Sequence, residues 1–240
     1  MRKAFTMLEM VFVVVMLGVM AAVSVMYIPQ TKLQQAADYM IQNIKYAKSL
    51  AQTDDRYFAM QDSSLSSYTN QQAQYWQAGM WQVQFHLNGN TVKNSYSIYA
   101  DTARNAGTTN FDGRPMSGDL IAKDPQNRAC LSGYSENNLP NECKNNIAKE
   151  VRLQETYDVT IDSIELPQNC NENGTARVYF DNKGLPYCGK VNVAGANITL
   201  PQRLSSSIKI TLKRQKQTAT ICISPSGLIY GSNNGQCNKV

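Results

Sequence analysis

The chain begins with one continuous apolar stretch. The 24 residues from Phe5 to Ile28 contain a single charged side chain, Glu9. At a rise of 1.5 Å per residue they would form a helix of about 36 Å, which exceeds the roughly 30 Å core of a bilayer. Because Arg2 and Lys3 precede this stretch, the pattern predicts a single-pass transmembrane helix whose short N-terminus stays in the cytoplasm.

The apolar period changes after Pro29 and indicates an amphipathic helix. Between residues 30 and 53, apolar side chains recur in steps of three and four, which places them on one face. This stripe consists of Leu33, Ala37, Met40, Ile44, Ala47 and Ala51. We expect one helix from Phe5 to about Thr53, bent near Pro29, with its second half packed against a domain.

Beyond residue 54 the period is two, which is typical of strands with one buried face. The first such segment, "MWQVQFHL", places His86 on the polar and therefore exposed face. Further strand candidates are "SYSIYA", "DVTIDSIEL", "ARVYF", "SIKITL", "ATICIS" and "GLIY", with tight turns at "FDNKGLPY" and "SPSGLIY". The order of elements predicts an α+β fold in which the long N-terminal helix packs on one antiparallel sheet of five to seven strands.

Composition is consistent with a single folded domain behind the apolar segment. Apolar residues make up 42% of the chain and charged residues 17%, which suits a polar-surfaced extracytoplasmic domain over residues 54–240. Within it, residues 101–150 are rich in Asn, Gly, Asp, Ser and Pro, and we predict an irregular loop there. The net charge of +5 falls to +3 without Arg2 and Lys3, so bulk charge does not argue for nucleic acid.

Six cysteines lie in the C-terminal half of the chain and predict disulfides in an oxidising compartment. They are Cys130, Cys143, Cys170, Cys188, Cys222 and Cys237. Six cysteines allow about 15 pairings, and we favour the three pairs of sequence neighbours, each of which would close one loop. A zinc site is the weaker interpretation because the chain has no C-x-x-C pair and a single histidine.

The N-terminus resembles that of type IV prepilins and type II secretion pseudopilins. Arg2-Lys3-Ala4 is followed by Phe5-Thr6-Met7-Leu8-Glu9 and the apolar run, with Gly18 and Ala21-Ala22 where many members have Gly and Ala-Ala. Two positions depart from the family pattern. Ala4 stands where Gly is usual before the cleavage site, and Met26 stands where a helix-kinking proline is common.

The resemblance implies a chemistry for the N-terminus. Prepilin peptidase would remove the leader, residues 1–4, by cleavage between Ala4 and Phe5, and would methylate the new Phe5 amine. Residues 5–28 would form the transmembrane and filament-core helix, and residues 29–53 its amphipathic half. The Phe5 ammonium of one subunit would pair with Glu9 of its neighbour, since a lone charge in a low dielectric is unfavourable. A plain signal anchor with a stray Glu9 is the alternative.

The same resemblance implies a function and its partners. The chain would be a structural subunit of a type IV pilus or related filament, and would act with copies of itself, other pilin-like subunits and a filament assembly platform. It would sit in the inner membrane with a periplasmic domain, and later in a filament at the cell surface. The alternatives are a minor pilin that binds DNA for transformation and a minor pseudopilin of a type II secretion system.

Three further groups of residues bear on chemistry. DNA binding would use a basic cluster of Lys209, Lys213, Arg214 and Lys216, with Arg203 upstream of it. The last three residues of this cluster lie at a predicted hairpin turn. Four loop carboxylates offer oxygen ligands for calcium, although their spacing fits no known calcium loop: Asp101, Asp112, Asp119 and Asp124. No catalytic set can be built around His86, so we predict that the protein is not an enzyme and needs no cofactor.

Overall fold

The computed structural model describes residues 6–26, 31–62, 64, 73–88, 93–102, 111–170, 172, 174–193 and 198–237. The chain separates into two compact units, Met1–Thr31 and Lys32–Val240. The predicted leader and cleavage site, residues 1–5, lie outside the described residues. Each unit is described separately below.

In the first unit, the described residues include one helix, α1, over Met7–Met26. Its large apolar side chains from Met7 to Met20 are all exposed. Within the part of the chain that the structure describes, no helix has both the length and the apolar character that crossing a membrane requires. This finding overturns the predicted transmembrane helix, and with it the predicted location of a single-pass protein in the inner membrane.

The prediction of one helix from Phe5 to Thr53 is also wrong. Helix α1 ends at Met26, and the next helix, α2, covers Lys32–Thr53. Pro29 lies between them. Proline lacks the N–H that continues a helix, and it disfavours helical dihedrals in the residue before it, which explains why the helical pattern of the sequence is not realised as one element.

The second unit is built around α2, and the predicted apolar stripe is confirmed. All six stripe residues are at most 5% exposed, and Ala36 and Asn43 are buried beside them. Among the described residues, short helices also cover Arg56–Gln61 (α3) and Leu153–Tyr157 (α4). Helix α2 therefore supplies one side of the main hydrophobic core, as its steps of three and four predicted.

The α+β class with antiparallel pairing is confirmed, but the strands form two sheets and not one. The six-stranded sheet has the order β3-β2-β1-β5-β6-β7, and the four-stranded sheet has the order β10-β9-β8-β4. The strands are β1 Trp81–His86, β2 Ser95–Ala100, β3 Leu120–Ile121, β4 Thr160–Glu165, β5 Thr175–Phe180, β6 Pro186–Cys188, β7 Gln202–Arg203, β8 Ile208–Arg214, β9 Gln217–Ile223 and β10 Ile229–Ser232. Alternation locates strands but does not tell which of them pair, so the second sheet was not foreseen.

Two turns of the same construction face the C-terminal half of α2. In the turn between β5 and β6, Gly184 N–H donates to the Asp181 carbonyl at 2.9 Å, and in the turn between β9 and β10, Gly227 N–H donates to the Ser224 carbonyl at 2.9 Å. Lys48 of α2 donates to the Gly227 carbonyl at 2.9 Å. The two predicted turns are thus confirmed, and they bring the ends of both sheets to one helix.

The polar face of the six-stranded sheet is buried, contrary to prediction. All six residues of β1 are buried, so Gln82, Gln84 and His86 are not exposed. Part of the segment predicted as an irregular loop pairs with the edge of β2, where Ile98 N–H donates to the Leu131 carbonyl at 2.9 Å. Other parts cover the polar face, where Tyr134 packs near the His86 ring. That segment forms a small second core together with Tyr99 of β2, which also contains Ile121, Cys130, Tyr134, Leu139 and Cys143.

The predicted disulfides and their pairing are confirmed. Cys130 is bonded to Cys143, Cys170 to Cys188, and Cys222 to Cys237. The first bond closes the segment that covers the six-stranded sheet. The third ties the C-terminal tail to β9, and the second links β6 to the loop that precedes β5.

Candidate functional site

The described part of the N-terminal site is a capping box. Thr6 donates to Glu9 Oε2 through both its N–H and its hydroxyl, each at 2.9 Å, and Glu9 N–H donates to Thr6 Oγ1 at 3.3 Å. These hydrogen bonds satisfy donors that the first turn of α1 would otherwise leave unpaired. The bonds from Thr6 lower the pKa of the fully exposed Glu9 carboxyl, because they favour its charged form.

The capping box gives Glu9 a role within its own chain that we did not predict. The signal was present, since Thr6-Met7-Leu8-Glu9 has the Thr-x-x-Glu spacing just before an apolar run. Ala4 and Phe5 lie outside the described residues. Cleavage between them, methylation of Phe5 and the pairing of its amine with Glu9 of a neighbour therefore stay predictions.

The basic cluster is brought together only in part, and most of its charges have acidic partners. Lys209 pairs with Glu165 at 2.8 Å, Lys213 with Asp162 at 3.4 Å, and Arg214 with Asp158 at 3.7 Å. Lys216 lies exposed in the turn between β8 and β9, whereas Arg203 lies on β7 of the other sheet. The acidic partners reduce the positive charge at this hairpin, and DNA binding stays a prediction.

Three of the four loop carboxylates predicted for calcium come together. Oxygen atoms of Asp101, Asp112 and Asp119 all lie within 4.8 Å of one another. Asp124 is elsewhere and accepts from the Tyr39 hydroxyl at 2.8 Å. Such oxygens could coordinate a hard cation, but they already accept backbone hydrogen bonds that order the loop, for example from Met116 N–H to Asp119 at 2.8 Å. Calcium binding stays a prediction.

A buried polar cluster next to these carboxylates was not predicted at all. Arg177 on β5 forms an ion pair with Glu172 and donates to the Gly113 carbonyl at 2.9 Å. Gly113 N–H in turn donates to Asp101 at 2.7 Å. The strand pattern of "ARVYF" marks Arg177 as a residue of the polar face, but it does not show that the segment containing Gly113 covers that face.

His86 is also part of this buried face. Its Nε2 lies 2.8 Å from Ser97 Oγ, and Ser97 Oγ lies 3.1 Å from Ser132 Oγ. Burial, with a smaller effect from the Arg177 charge, lowers the pKa of His86 to about 4. The histidine and both serines are at most 2% exposed, so a substrate could not reach this His–Ser contact without movement of the covering segment.

Comparison of the chain with protein-family models, with curated proteins and with solved structures found no match in any of the three. The resemblance to prepilins therefore rests on the residues of the N-terminus alone. An α+β fold by itself does not define a function, because one fold class serves many.

Proposed function

We propose that this protein is a subunit of a type IV pilus or of the related pseudopilus of type II secretion. It assembles with copies of itself and with other pilin-like subunits through α1. The observation that carries the proposal is the exposed apolar surface of this helix, on which the large side chains from Met7 to Met20 are 46% to 87% exposed. A surface of this kind indicates an interaction site, and the order Phe5, Thr6, Glu9 resembles the pilin pattern.

Glu9 gives the assembly its register in this proposal. Packing α1 against neighbouring helices removes the Glu9 carboxylate from water, which is unfavourable unless a positive charge compensates it. The amine of Phe5 in an adjacent subunit would supply that charge. The capping box supports this role because it holds the carboxylate at the first turn of α1 in its charged form.

The first test is processing of the N-terminus. Mass spectrometry of the N-terminal peptide from native cells should show a peptide that begins at methylated Phe5 when prepilin peptidase is present. Without the peptidase, the peptide should retain residues 1–4. A chain that keeps residues 1–4 under both conditions would contradict membership of a filament system.

The second test separates the charge of Glu9 from its capping function. Glu9→Gln keeps an acceptor at the third helical position, as capping boxes require, but removes the charge, whereas Glu9→Ala removes both. Loss of charge pairing predicts that both variants lose filament assembly, measured as sheared filaments. If Glu9→Gln assembles like the wild type and only Glu9→Ala is weakened, Glu9 is a cap and the charge-pairing part of the proposal is wrong.

A further inference from the structure

His86 occupies a closed site between β1, β2, β5 and the segment that covers them. In the register of the sheet, His86 lies opposite Ser95 on β2 and Thr175 on β5. Its ring makes one hydrogen bond within the described residues, from or to Ser97 Oγ at 2.8 Å, and its centroid lies 5.8 Å from the ring of Tyr134. A neutral imidazole can make this bond in either tautomer, with Ser97 as donor or as acceptor.

Ser97 connects His86 to the covering segment. Ser97 Oγ accepts from Gly133 N–H at 3.1 Å and contacts Ser132 Oγ, which accepts from Tyr134 N–H at 3.3 Å. The approach is close, since a Cβ placed on Gly133 would lie 2.2 Å from Ser95 Oγ. Backbone pairing also holds this segment beside β2, since Gly133 N–H donates to the Tyr96 carbonyl and Ile98 N–H to the Leu131 carbonyl, each at 2.9 Å. The hydrogen bonds that meet at Ser97 add to this pairing and link it to His86.

A protonated His86 ring would not suit this site. The imidazolium carries a second N–H, and the described residues provide only the Ser97 contact. It would also place a second positive charge near Arg177, whose charge already disfavours protonation. The charged and titratable groups on the surrounding elements are Arg177 and its partner Glu172, Arg152 and its partner Glu136, and Tyr134.

We infer that His86 is a pH-sensitive latch, which holds the segment Ser132–Tyr134 on the sheet while its ring is neutral and releases that segment when the ring takes up a proton. The opened state has a histidine of ordinary pKa, near 6.5, whereas the closed state has a pKa of about 4. The latch is thus fully effective above pH 6.5, and it weakens as the pH falls from 6.5 towards 4, because the opened state then binds more protons.

The test is amide hydrogen exchange by NMR on the full chain, kept in a nonionic detergent because α1 exposes apolar side chains. After correction for intrinsic rates, the opening constants of the Gly133 and Tyr134 amides should rise by up to about tenfold for each pH unit below 6.5. In His86→Gln, which can still hydrogen-bond Ser97 but cannot titrate, they should stay flat. The same rise in His86→Gln would overturn the inference.

Two controls identify the group and the region involved. Burial raises the pKa of Glu172 although Arg177 opposes the shift, so Glu172→Gln tests whether this second buried group causes the pH dependence. If the rise in the opening constants disappears in Glu172→Gln and persists in His86→Gln, the latch is overturned.

The amides of Ile210 and Leu212 on β8 report on the other sheet. An equal rise in their opening constants would mean general unfolding and not release of the segment, and would overturn the latch. The sole histidine of the chain also gives an unambiguous ring signal, and a midpoint near 6.5 would contradict the inference.

Discussion

Gly227 shows how one backbone position couples the two sheets. Its φ of +81° is in the left-handed region, and an added Cβ would lie 2.4 Å from the Gly184 carbonyl oxygen. Gly227→Ala therefore combines backbone strain with a clash against another backbone atom, and we expect it to lower the free energy of unfolding by about 2–4 kcal/mol. Chemical denaturation of the two proteins measures this difference.

Gly235→Ala is the matched control at the residue scale. Gly235 has a similar φ of +71°, but its added Cβ would meet only Thr220 Oγ1, at an ordinary 3.8 Å. This variant should lose about 1 kcal/mol through the left-handed conformation alone. If Gly227→Ala and Gly235→Ala lower the free energy of unfolding by the same amount, the close approach of Gly227 to the Gly184 carbonyl adds no cost, and this prediction is wrong.

At the scale of elements, α2 is expected to account for much of the stability of the second unit. Met40 is fully buried and belongs to the main core. Met40→Ala removes apolar contacts and leaves a cavity, so it should lower the free energy of unfolding by about 2–5 kcal/mol. Gln42 lies on the exposed face of the same helix, and Gln42→Ala should change it by less than about 0.5 kcal/mol. Comparable losses in both would contradict the orientation of α2.

The elements also show where sequence reasoning reaches its limit. Local patterns were enough to predict the apolar stripe on α2 and the three disulfides. They also predicted the longer strands, which are β1, β2, β4, β5, β8, β9 and β10. The burial of His86 and Arg177 could not, because it depends on a distant irregular segment that covers the polar face. Nor could the two sheets, since local alternation carries no information on partners.

At the scale of the whole molecule, the two units differ in how their apolar residues are used. The large apolar side chains of α1 from Met7 to Met20 are exposed, whereas the core of the second unit begins at Leu33 and includes residues from both sheets. Sequence patterns predicted the buried core of the second unit. They did not predict the exposed side chains of α1, because an apolar run indicates only that burial is favourable and does not identify the surface that buries it.

This difference predicts that residues 31–240 fold without α1. All core residues of the second unit and its three disulfides lie within this range. The fragment should unfold cooperatively, with a free energy of unfolding within about 0.5 kcal/mol of that of the full chain measured under the same conditions. It should also fail to form filaments. A fragment of residues 41–240 is the control, since it lacks Leu33, Ala36, Ala37 and Met40 and should lose cooperative unfolding; if residues 31–240 behave in the same way, α1 is part of the folding unit after all.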